Sequence, residues 1–442
     1  MSSPLTIFLT TYNTGLQGSR AQEQDLSSWL IPQLHKAAAE APTPDIYAIA
    51  VQELLPLHLG LAGLAQPVLA TLTHRIQALL SAHATSVSPG KVKEQYTLVG
   101  RECRVGTALW VFARESTTAG RIGKVLRTSI GLWHLGMGNK AAVGVRLPIK
   151  RSQDGESGWE SLTFISAHLE AHDHNIAARN EQYNTILSSL VFRGGDALHR
   201  LQPFQPHHTS HLFIMGDLNY RLERLAGDYP REKGELVSVE RERADLVQLD
   251  TLKKEQAAGR VFGGLREGDL TRFAPTYKRV VGEVEGYSQK RIPGWTDRIL
   301  IASHNDPPSL YAANAEPGLS PEGTTQILQY TSSPEVTISD HKPVHALVVL
   351  PPITHSAPYT SLSPLLAAPP PPSRTRPSAR SQEDVFFWYI FGNVLDRLVG
   401  LPWCVIALLG FGNEKTGMGV SAFLAMIWGL WWSGLMEGYF SS

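Results

Sequence analysis

The sequence predicts an α/β or α+β sandwich over residues 1–350, because strand-like and helix-like stretches alternate there. Apolar runs of strand length occur at residues 5–11, 45–51, 107–113, 141–147, 162–167, 211–215, 298–302 and 344–349. Amphipathic segments typical of helices lie between several of them, near residues 21–40, 61–84, 175–192 and 240–257. No internal repeat interrupts this alternation, so we treat residues 1–350 as one domain.

The composition argues against some classes of function. The chain has 40 Lys and Arg residues and 40 Asp and Glu residues, so its formal net charge is zero. It lacks the overall basic field that nucleic-acid binding uses, and we expect no nucleic-acid partner, although a local basic patch is compatible with this balance. Its two cysteines, Cys103 and Cys404, are too few for a disulfide framework or a zinc cluster, which fits a reducing compartment. The N-terminal stretch does not have the pattern of a secretory signal.

The stretch HLFIMGDLNYRL, residues 211–222, carries the clearest chemical signal. An apolar run ends abruptly in polar residues, as when a buried strand brings polar groups to the rim of a sheet. Asp217 and Asn219 are two residues apart, so in an extended segment they point to the same side. Asp217 can accept a proton, and the amide of Asn219 can donate a hydrogen bond to a growing negative charge. An ordinary strand followed by an Asx turn explains the stretch equally well when it is taken alone.

Other strand-like runs also begin or end in polar residues. These residues are Asn13, Glu53, His168, His172, Asp297, Asp340 and His341. Each one alone is better explained as an ordinary strand terminus. Because so many carboxylates, amides and imidazoles occur at strand ends, we expect them to converge on one site.

The types of these residues favour hydrolysis of a phosphate ester. Glu53, Asn13 and Asp340 offer hard oxygen ligands, which suit Mg²⁺ rather than zinc. We predict that Asp217 orients and deprotonates a water molecule. His168 and His341 are expected to donate hydrogen bonds to the phosphoryl group.

The same reasoning gives Asp297 a supporting role, in which it pairs with His341 and keeps it cationic. These residues alone do not distinguish a phosphomonoesterase from a nuclease or a sphingomyelinase.

A set of ordered motifs carries a resemblance to a known family. The motifs are TYNTG at 11–15, QE at 52–53, GNK at 138–140, SAHLEAH at 166–172, RN at 179–180, GDLNYR at 216–221, PTYK at 275–278, RIPGWTDRIL at 291–300 and SDHKPV at 339–344. In this order they resemble the inositol polyphosphate 5-phosphatases, of the endonuclease/exonuclease/phosphatase superfamily. PTYK followed by the tryptophan-containing motif is the most specific part, since the nuclease relatives lack it.

The resemblance implies a fold and a set of roles. The fold would be of the α+β class, a DNase I-like four-layer α/β sandwich with two packed, mainly antiparallel sheets flanked by helices. Glu53 and Asn13 would bind Mg²⁺ with Asp340 supporting the metal side, and the catalytic residues would be Asp217, Asn219, His168, His341 and Asp297. Lys278 and Arg291, with Tyr277 and Lys140 near them, would bind the 4-phosphate beside the scissile phosphate.

The sequence departs from the family pattern at a few positions near these motifs. Tyr12 replaces a Trp, Ser166 replaces an Asn, Thr296 replaces a Cys, and GNKAA replaces GNKGG. None of these changes removes a proposed ligand, base or phosphate donor, so they bear on rate and substrate preference more than on the type of reaction.

Residues 121–140 mix basic and aromatic residues beside the predicted site. Leu132 and Trp133 in this loop are predicted to contact an anionic bilayer surface. The alternative is that both side chains belong to the protein core.

The C-terminal part of the sequence changes character twice. Residues 351–384 are rich in Pro, Ser and Ala and are predicted to form an extended linker. Residues 385–442 are predicted to form a hydrophobic membrane anchor, in which the uncharged run 417–436 has the length of about 20 residues that a transmembrane helix needs. Residues 385–411 are interrupted by Asp396 and Arg397, and could be an interfacial helix, a second span, half of a hairpin or a buried core helix.

These features together predict a membrane-tethered enzyme. The expected reaction is Mg²⁺-dependent removal of the 5-phosphate from phosphatidylinositol 4,5-bisphosphate at a cytosolic membrane face, with the 3,4,5-trisphosphate as a second candidate substrate. The arrangement is similar to fungal tail-anchored members of the family on the endoplasmic reticulum. The alternatives are a sphingomyelinase-like or nuclease phosphodiesterase and a non-catalytic phosphoinositide-binding membrane protein. Nothing in the sequence indicates a protein partner.

Overall fold

The structure is a computed structural model of the chain. It describes residues 3–16, 27–41, 43–151, 159–194, 204–223, 240–288, 291–311, 320–352, 362, 382–408 and 428–429. Most of the predicted linker and the uncharged run 417–436, apart from residues 428–429, lie outside the described residues, as do residues 21–26 of the first predicted helix.

The described chain contains strands and helices in alternation. The strands are β1 (Leu5–Asn13), β2 (Ile46–Gln52), β3 (Tyr96–Arg104), β4 (Thr107–Arg114), β5 (Leu126–Gly131), β6 (Ala141–Lys150), β7 (Trp159–His168), β8 (His211–Asp217), β9 (Asp297–Ser303), β10 (Gln326–Ser332) and β11 (Val344–Leu350). The helices are α1 (Ile31–Ala38), α2 (Leu57–Leu61), α3 (Gln66–Val87), α4 (Glu115–Thr118), α5 (Ile176–Ser189), α6 (Glu240–Val247), α7 (Thr251–Ala257) and α8 (Gln382–Leu408).

The strands form two sheets, in the orders β10-β11-β1-β2-β4-β3 and β5-β6-β7-β8-β9. Neighbouring strands are antiparallel except for β1 with β2 and β7 with β8, which are parallel. Each sheet therefore has one parallel pair near its centre, and the prediction of mainly antiparallel sheets is confirmed.

Three layers of buried side chains hold this arrangement together. Leu9, Val145 and Phe213 belong to the core between the two sheets. A second core, which includes Trp110, joins the outer face of the first sheet to α1 and α3, and a third, which includes Ile186, joins the second sheet to α5 and α7. The order helix, sheet, sheet, helix is the predicted four-layer sandwich.

The strands that the sequence pattern did not predict lie at sheet edges. These are β3 and β10 at the two ends of the first sheet and β5 at one end of the second. Edge strands are partly exposed, so polar residues interrupt their apolar runs, as in QILQYTS of β10. The predicted helix at 240–257 is divided into α6 and α7, because Asp250 accepts a hydrogen bond from the backbone N–H of Lys253 and begins a new helix.

Helix α8 lies against the sandwich. It contacts α2 and the loop between β5 and β6, and Leu395 and Trp403 join a small apolar cluster with Leu61 and Met137. Within the described residues, Val385–Ala407 is the one helix long and apolar enough to cross a membrane, and few of its residues are buried.

Candidate active site

Strand register brings the predicted catalytic residues to one rim of the two sheets. In the parallel pair β1–β2, Asn13 pairs with Gln52, and Glu53 follows directly. In the parallel pair β7–β8, His168 pairs with Asp217. Since the two strands of a parallel pair end at the same edge of the sheet, the polar residues at their ends lie next to each other.

The antiparallel strands complete the same rim. Strand β9 begins at Asp297, which stands opposite Asp217 in the register. His341 lies just before β11, which pairs with β1. A strand that begins at this rim and one that ends there can thus place side chains side by side.

Asp217 is the central carboxylate of the site, 2% exposed. Its Oδ2 accepts a hydrogen bond from Nδ2 of Asn13 at 3.0 Å and lies 3.5 Å from Nε2 of His168. Burial, opposed by the cationic His341 and reinforced by Asp297, raises the pKa of Asp217 to about 6. A carboxylate with a pKa near neutrality is suited to act as a general base.

His341 is held as a cation by two carboxylates. Its Nδ1 donates to Oδ2 of Asp297 at 3.0 Å, and its Nε2 lies 3.9 Å from Oδ2 of Asp217. Burial opposes the charge, but Asp297 and Asp217 outweigh it and raise the pKa of His341 to about 10. This geometry agrees with the predicted pairing of Asp297 with His341.

Two threonine hydroxyls fix the position of Asp297. Thr276 donates to its Oδ2 at 2.6 Å and Thr296 donates to the same oxygen at 3.0 Å. Thr296 stands where the family usually has Cys, and its hydroxyl adds a hydrogen bond to the carboxylate that holds His341.

His168 differs in charge from His341. Burial, with Lys140 and His341 nearby, holds the pKa of His168 well below its ordinary value, so its ring is neutral. Nζ of Lys140 lies 2.6 Å from Nε2 of His168, which therefore accepts a hydrogen bond rather than donating one. In this contact Lys140 is the donor, and the expectation that His168 donates a hydrogen bond to a phosphate stays a prediction.

Glu53 and Asn13 fit a site for a hard divalent cation. The Glu53 carboxylate is partly exposed, its Oε1 lies 3.8 Å from Nε2 of His168, and its backbone has a φ of 48°, which is strained for a side chain of this kind. Oδ1 of Asn13 accepts from the backbone N–H of Gly15 and keeps a second lone pair. These two oxygens are of the type that a hard divalent cation binds.

Asp217, Asp297 and His341 also place ligand atoms within 4.8 Å of one another. A cation at that position would face the protonated ring of His341, so Glu53 and Asn13 are the better candidates for holding a metal.

Asp340 forms an ion pair with Lys278. Nζ of Lys278 lies 2.7 Å from Oδ2 of Asp340, and Oδ1 is not part of that pair, so the predicted support of the metal by Asp340 stays a prediction. Tyr277 packs its ring against His341, with centroids 4.6 Å apart, and Arg291 lies near enough to oppose protonation of Lys278. Of the predicted substrate-binding residues, Tyr277 and Lys278 therefore lie beside His341 with Arg291 near Lys278, whereas Lys140 lies against His168.

The sequence reasoning did not assign a role to Arg221, although it lies within the motif GDLNYR. Arg221 is buried, donates to Oδ1 of Asn219 at 3.2 Å and to Asp173 at 2.9 Å, and its guanidinium lies 4.8 Å from the ring centre of Tyr277. Asn219 also donates through Nδ2 to the carbonyl of Leu169 at 3.0 Å. Arg221 thus fixes the orientation of the Asn219 amide, a role that only the folded structure reveals.

The predicted membrane contacts at Leu132 and Trp133 require correction. Leu132 is 5% exposed and belongs to the core beneath the second sheet. Trp133 packs into the cluster that contains Leu395 and Trp403 of α8. The two side chains are therefore occupied by protein contacts, and Leu135, 56% exposed, is the apolar residue that this loop presents to its surroundings.

Comparison with known proteins identifies the family of the chain. The family model described as endonuclease/exonuclease/phosphatase family 2 matches residues 10–347. The chain is 30% identical over 337 residues to synaptojanin of Caenorhabditis elegans, covering 74% of this chain and 25% of that protein. It is also 30% identical over 349 residues to inositol-1,4,5-trisphosphate 5-phosphatase 1 of Schizosaccharomyces pombe, covering 77% of this chain and 26% of that protein.

Among solved structures, the chain is similar to the inositol polyphosphate 5-phosphatase domain of a synaptojanin, determined in complex with inositol (1,4)-bisphosphate and a calcium ion. The TM-score is 0.58 and the identity 25%, with 79% of this chain and 85% of that chain covered. The chain belongs to endonuclease/exonuclease/phosphatase family 2. The resemblance to inositol polyphosphate 5-phosphatases is confirmed, and the chain spans about a quarter of the length of the curated relatives it matches.

Proposed function

We propose that the protein is a phosphoinositide 5-phosphatase, a phosphoric monoester hydrolase that removes the 5-phosphate of phosphatidylinositol 4,5-bisphosphate. The 3,4,5-trisphosphorylated lipid is a further candidate substrate. The observation that carries the proposal is the contact of a buried carboxylate of raised pKa, Asp217, with the cationic ring of His341. Relatives named as 5-phosphatases support the choice of substrate class.

The residues of the chain suit direct attack by water. Asp217 would orient the water molecule and accept its proton as the oxygen bonds to phosphorus. His341, cationic at neutral pH, would donate through Nε2 to a phosphoryl oxygen, since Nδ1 is already bonded to Asp297. Asn219, held by Arg221, would add a hydrogen bond to the developing charge.

We propose Mg²⁺ as the cofactor, held by Glu53 and Asn13. When bound it would polarise the phosphoryl group and neutralise charge on the leaving oxygen. Glu53→Gln should raise the Mg²⁺ concentration needed for half-maximal activity and lower the maximal rate. The matched control is Glu335→Gln, because Glu335 pairs with Lys36 at the protein surface.

A second phosphate on the inositol ring requires fixed cations. Lys278 lies over the Tyr277 ring, which itself packs against His341, and Arg291 is near enough to Lys278 to act on its charge. A phosphate bound there would replace Asp340 as the partner of Lys278. Lys140, which donates to His168, would bind the scissile phosphate.

We further propose that the protein works at the cytosolic face of a membrane, anchored by residues 385–442, with the endoplasmic reticulum as the favoured location. The exposed apolar side chains of α8 and the uncharged run 417–436 support this proposal. Anchoring raises the local concentration of a lipid substrate and does little for a freely diffusing one.

The test is release of phosphate from a panel of phosphoinositides and soluble inositol phosphates, with Asp217→Ala as the inactive variant. We expect release from substrates with a 5-phosphate beside a 4-phosphate, and none from the variant. Release of phosphocholine from sphingomyelin or cleavage of DNA would favour the alternative enzyme classes. Lipid binding without turnover in the unmodified protein would indicate a non-catalytic role.

A further inference from the structure

Helix α8 has two faces that differ in what they contact. The inner face packs on the catalytic domain and consists of Trp388, Gly392, Leu395, Asp396, Gly400 and Trp403. The outer face points away from the domain and consists of Phe387, Ile390, Val394, Leu398, Leu401 and Val405. Both sets follow helical spacing, and the outer one contains no charged or polar residue.

The inner face is in contact along most of its length. A Cβ atom on Gly392 would lie 2.1 Å from the carbonyl oxygen of Gly136, and one on Gly400 would lie 2.2 Å from the backbone nitrogen of Ala62. The helix backbone therefore approaches the domain closely at two points that are two turns apart. A helix held at both points lies along the surface of the domain.

A buried ion pair fixes the middle of the inner face. Oδ2 of Asp396 lies 2.8 Å from Nη2 of Arg104, and both side chains are about 5% exposed or less. Oδ1 of Asp396 also accepts the backbone N–H of Gly138 at 2.9 Å, and Arg104 donates to the carbonyl of Gly136 at 3.1 Å. To cross a bilayer, α8 would have to break these contacts and place a carboxylate near the hydrocarbon centre, where an ionised group is least favourable.

The outer face requires a different partner. Its six large apolar side chains are each between 45% and 64% exposed in the structure. Arg374, Arg376 and Arg380 precede the helix in the sequence and Arg397 lies within it, so basic residues accompany an apolar surface. This combination is typical of helices that lie in the plane of an anionic bilayer.

The position of the helix in the chain also favours lipid. The uncharged run 417–436 begins nine residues after α8 ends at Leu408. If that run enters the bilayer, as the proposed function requires, α8 is kept within a short distance of the membrane surface.

We propose that α8 is an in-plane membrane-binding helix. The ion pair of Asp396 with Arg104 holds the inner face of α8 against the catalytic domain. The outer face of α8 lies in the cytosolic surface of the bilayer, and the helix does not cross it. This inference rests on the proposed membrane location, and it specifies in addition how the catalytic domain is oriented relative to the membrane. It also ties the membrane contact to the site, because Gly138, which Asp396 holds, is two residues from Lys140.

The test measures the depth of the outer face in vesicles of phosphatidylcholine and phosphatidylserine. Phe387, Leu398 and Val405 are each replaced by Cys in the full chain carrying Cys103→Ser and Cys404→Ser, and labelled with a fluorophore. Nitroxide lipids that carry the quencher either near the headgroup or at the bilayer centre report the depth. Val92→Cys, at an exposed position beyond the end of α3, is the control.

We expect the three outer-face positions to be quenched equally by the shallow nitroxide, and the control not at all. Deep quenching at Leu398 with shallow quenching at the two ends would show a helix that crosses, and would overturn the proposal. No quenching at any position would show that protein covers the face, either residues 409–442 or a second copy, and would also overturn it. Phosphate release from a soluble inositol polyphosphate, measured on the same samples, tests the proposed activity separately.

The role of Asp396 has its own test. Asp396→Leu leaves Arg104 buried without a counterion, whereas Asp396→Leu with Arg104→Met replaces the pair by apolar side chains. On vesicles, amide hydrogen exchange over 385–407 should rise about tenfold or more in the single variant and return towards the original rate in the double variant. Equal exchange in all three proteins would mean that the ion pair does not hold the helix.

Discussion

Asp217 and Asp297 stand directly opposite each other in the pairing of β8 with β9, and His341 lies against both. Two buried carboxylates this close repel each other, and the imidazolium between them offsets that repulsion. The repulsion contributes to the raised pKa of Asp217, and the attraction to the raised pKa of His341. The charge state of the site is thus a property of three residues, which makes its pH dependence predictable.

Replacement of Asp297 by Asn should shift the alkaline limit of activity. Asp297 is the strongest influence raising the pKa of His341 to about 10, against the opposing effect of burial. His341 must be protonated to donate to the phosphoryl group, so activity should be retained below this pKa and fall as the pH rises through it. In Asp297→Asn the fall should begin at a lower pH than in the unmodified protein, with Asp217 and Asp340 still favouring the protonated ring.

The measurement is kcat against pH on a soluble substrate. Thr296→Val is the matched control, since it removes one hydrogen bond to Asp297 and leaves the charge in place. An unchanged alkaline limit in Asp297→Asn would mean that His341 is not the group that titrates.

Replacement of Asp217 by Asn should abolish activity and stabilise the metal-free protein. Since folding raises the pKa of this carboxyl from 3.8 to about 6, the stability associated with its protonated form is present below 3.8 and is lost as the pH rises through about 6. At pH 7.5 the ionised carboxylate is therefore a net cost, of up to about 3 kcal/mol at about 1.36 kcal/mol per pKa unit. The substitution also removes a negative charge that stabilises the His341 cation, which offsets part of the gain in stability.

Urea unfolding in the presence of a chelator tests this expectation. The free energy of unfolding of Asp217→Asn should exceed that of the unmodified protein at pH 7.5, and the difference should shrink as the pH falls towards 4. A loss of stability at pH 7.5 would show that Asp217 is stabilising as an anion even without metal.

The sequence predicted the central strands and the residues at their ends, because a strand buried on both faces has an apolar sequence that ends abruptly in polar residues. Edge strands such as β10 were missed, since exposure on one face removes that signal. Within the site, the roles of Arg221 and Thr276 could not be predicted, because their contacts with Asn219 and Asp297 depend on segments distant in sequence. The role of Asp396 in α8 could not be predicted either. In the sequence it only interrupts an apolar segment, and its ion pair with Arg104 is visible only in the structure.

Replacement of Lys140 by Met should change the titration of His168. Burial is the main cause of the low pKa of His168, and the neighbouring Lys140 ammonium lowers it further. Removing that charge should raise the pKa of His168, and the rate of phosphate release should fall by about two orders of magnitude if Lys140 contributes to charge stabilisation in the transition state.

NMR titration of the imidazole and steady-state kinetics measure the two effects. Lys150→Met, at the opposite end of β6, serves as the control because Lys150 lies over the ring of Trp159 and far from His168 in the strand. If the His168 titration is the same in Lys140→Met, the contact between Lys140 and His168 does not exist in solution.

Replacement of Lys278 by Ala should change substrate preference more than turnover. Lys278 forms an ion pair with Asp340 in a partly exposed position, and the Asp340 carboxylate, against the opposing effect of burial, raises the pKa of Lys278. A ligand phosphate carries more negative charge than a carboxylate, so it can displace Asp340 when it binds. Without Lys278, kcat/KM should fall about tenfold or more on a 4,5-bisphosphorylated substrate, the factor that corresponds to one charge-assisted hydrogen bond.

The comparison substrate carries the 5-phosphate alone, and kcat/KM on it should change little in Lys278→Ala. Asp340→Asn is the informative companion variant, because it removes the internal competitor and should lower KM for the bisphosphorylated substrate while Lys278 is intact. An equal loss of kcat/KM on both substrates would show that Lys278 does not recognise the 4-phosphate. A raised KM in Asp340→Asn would instead indicate that Asp340 holds Lys278 in place for the ligand, or supports the metal as the sequence predicted.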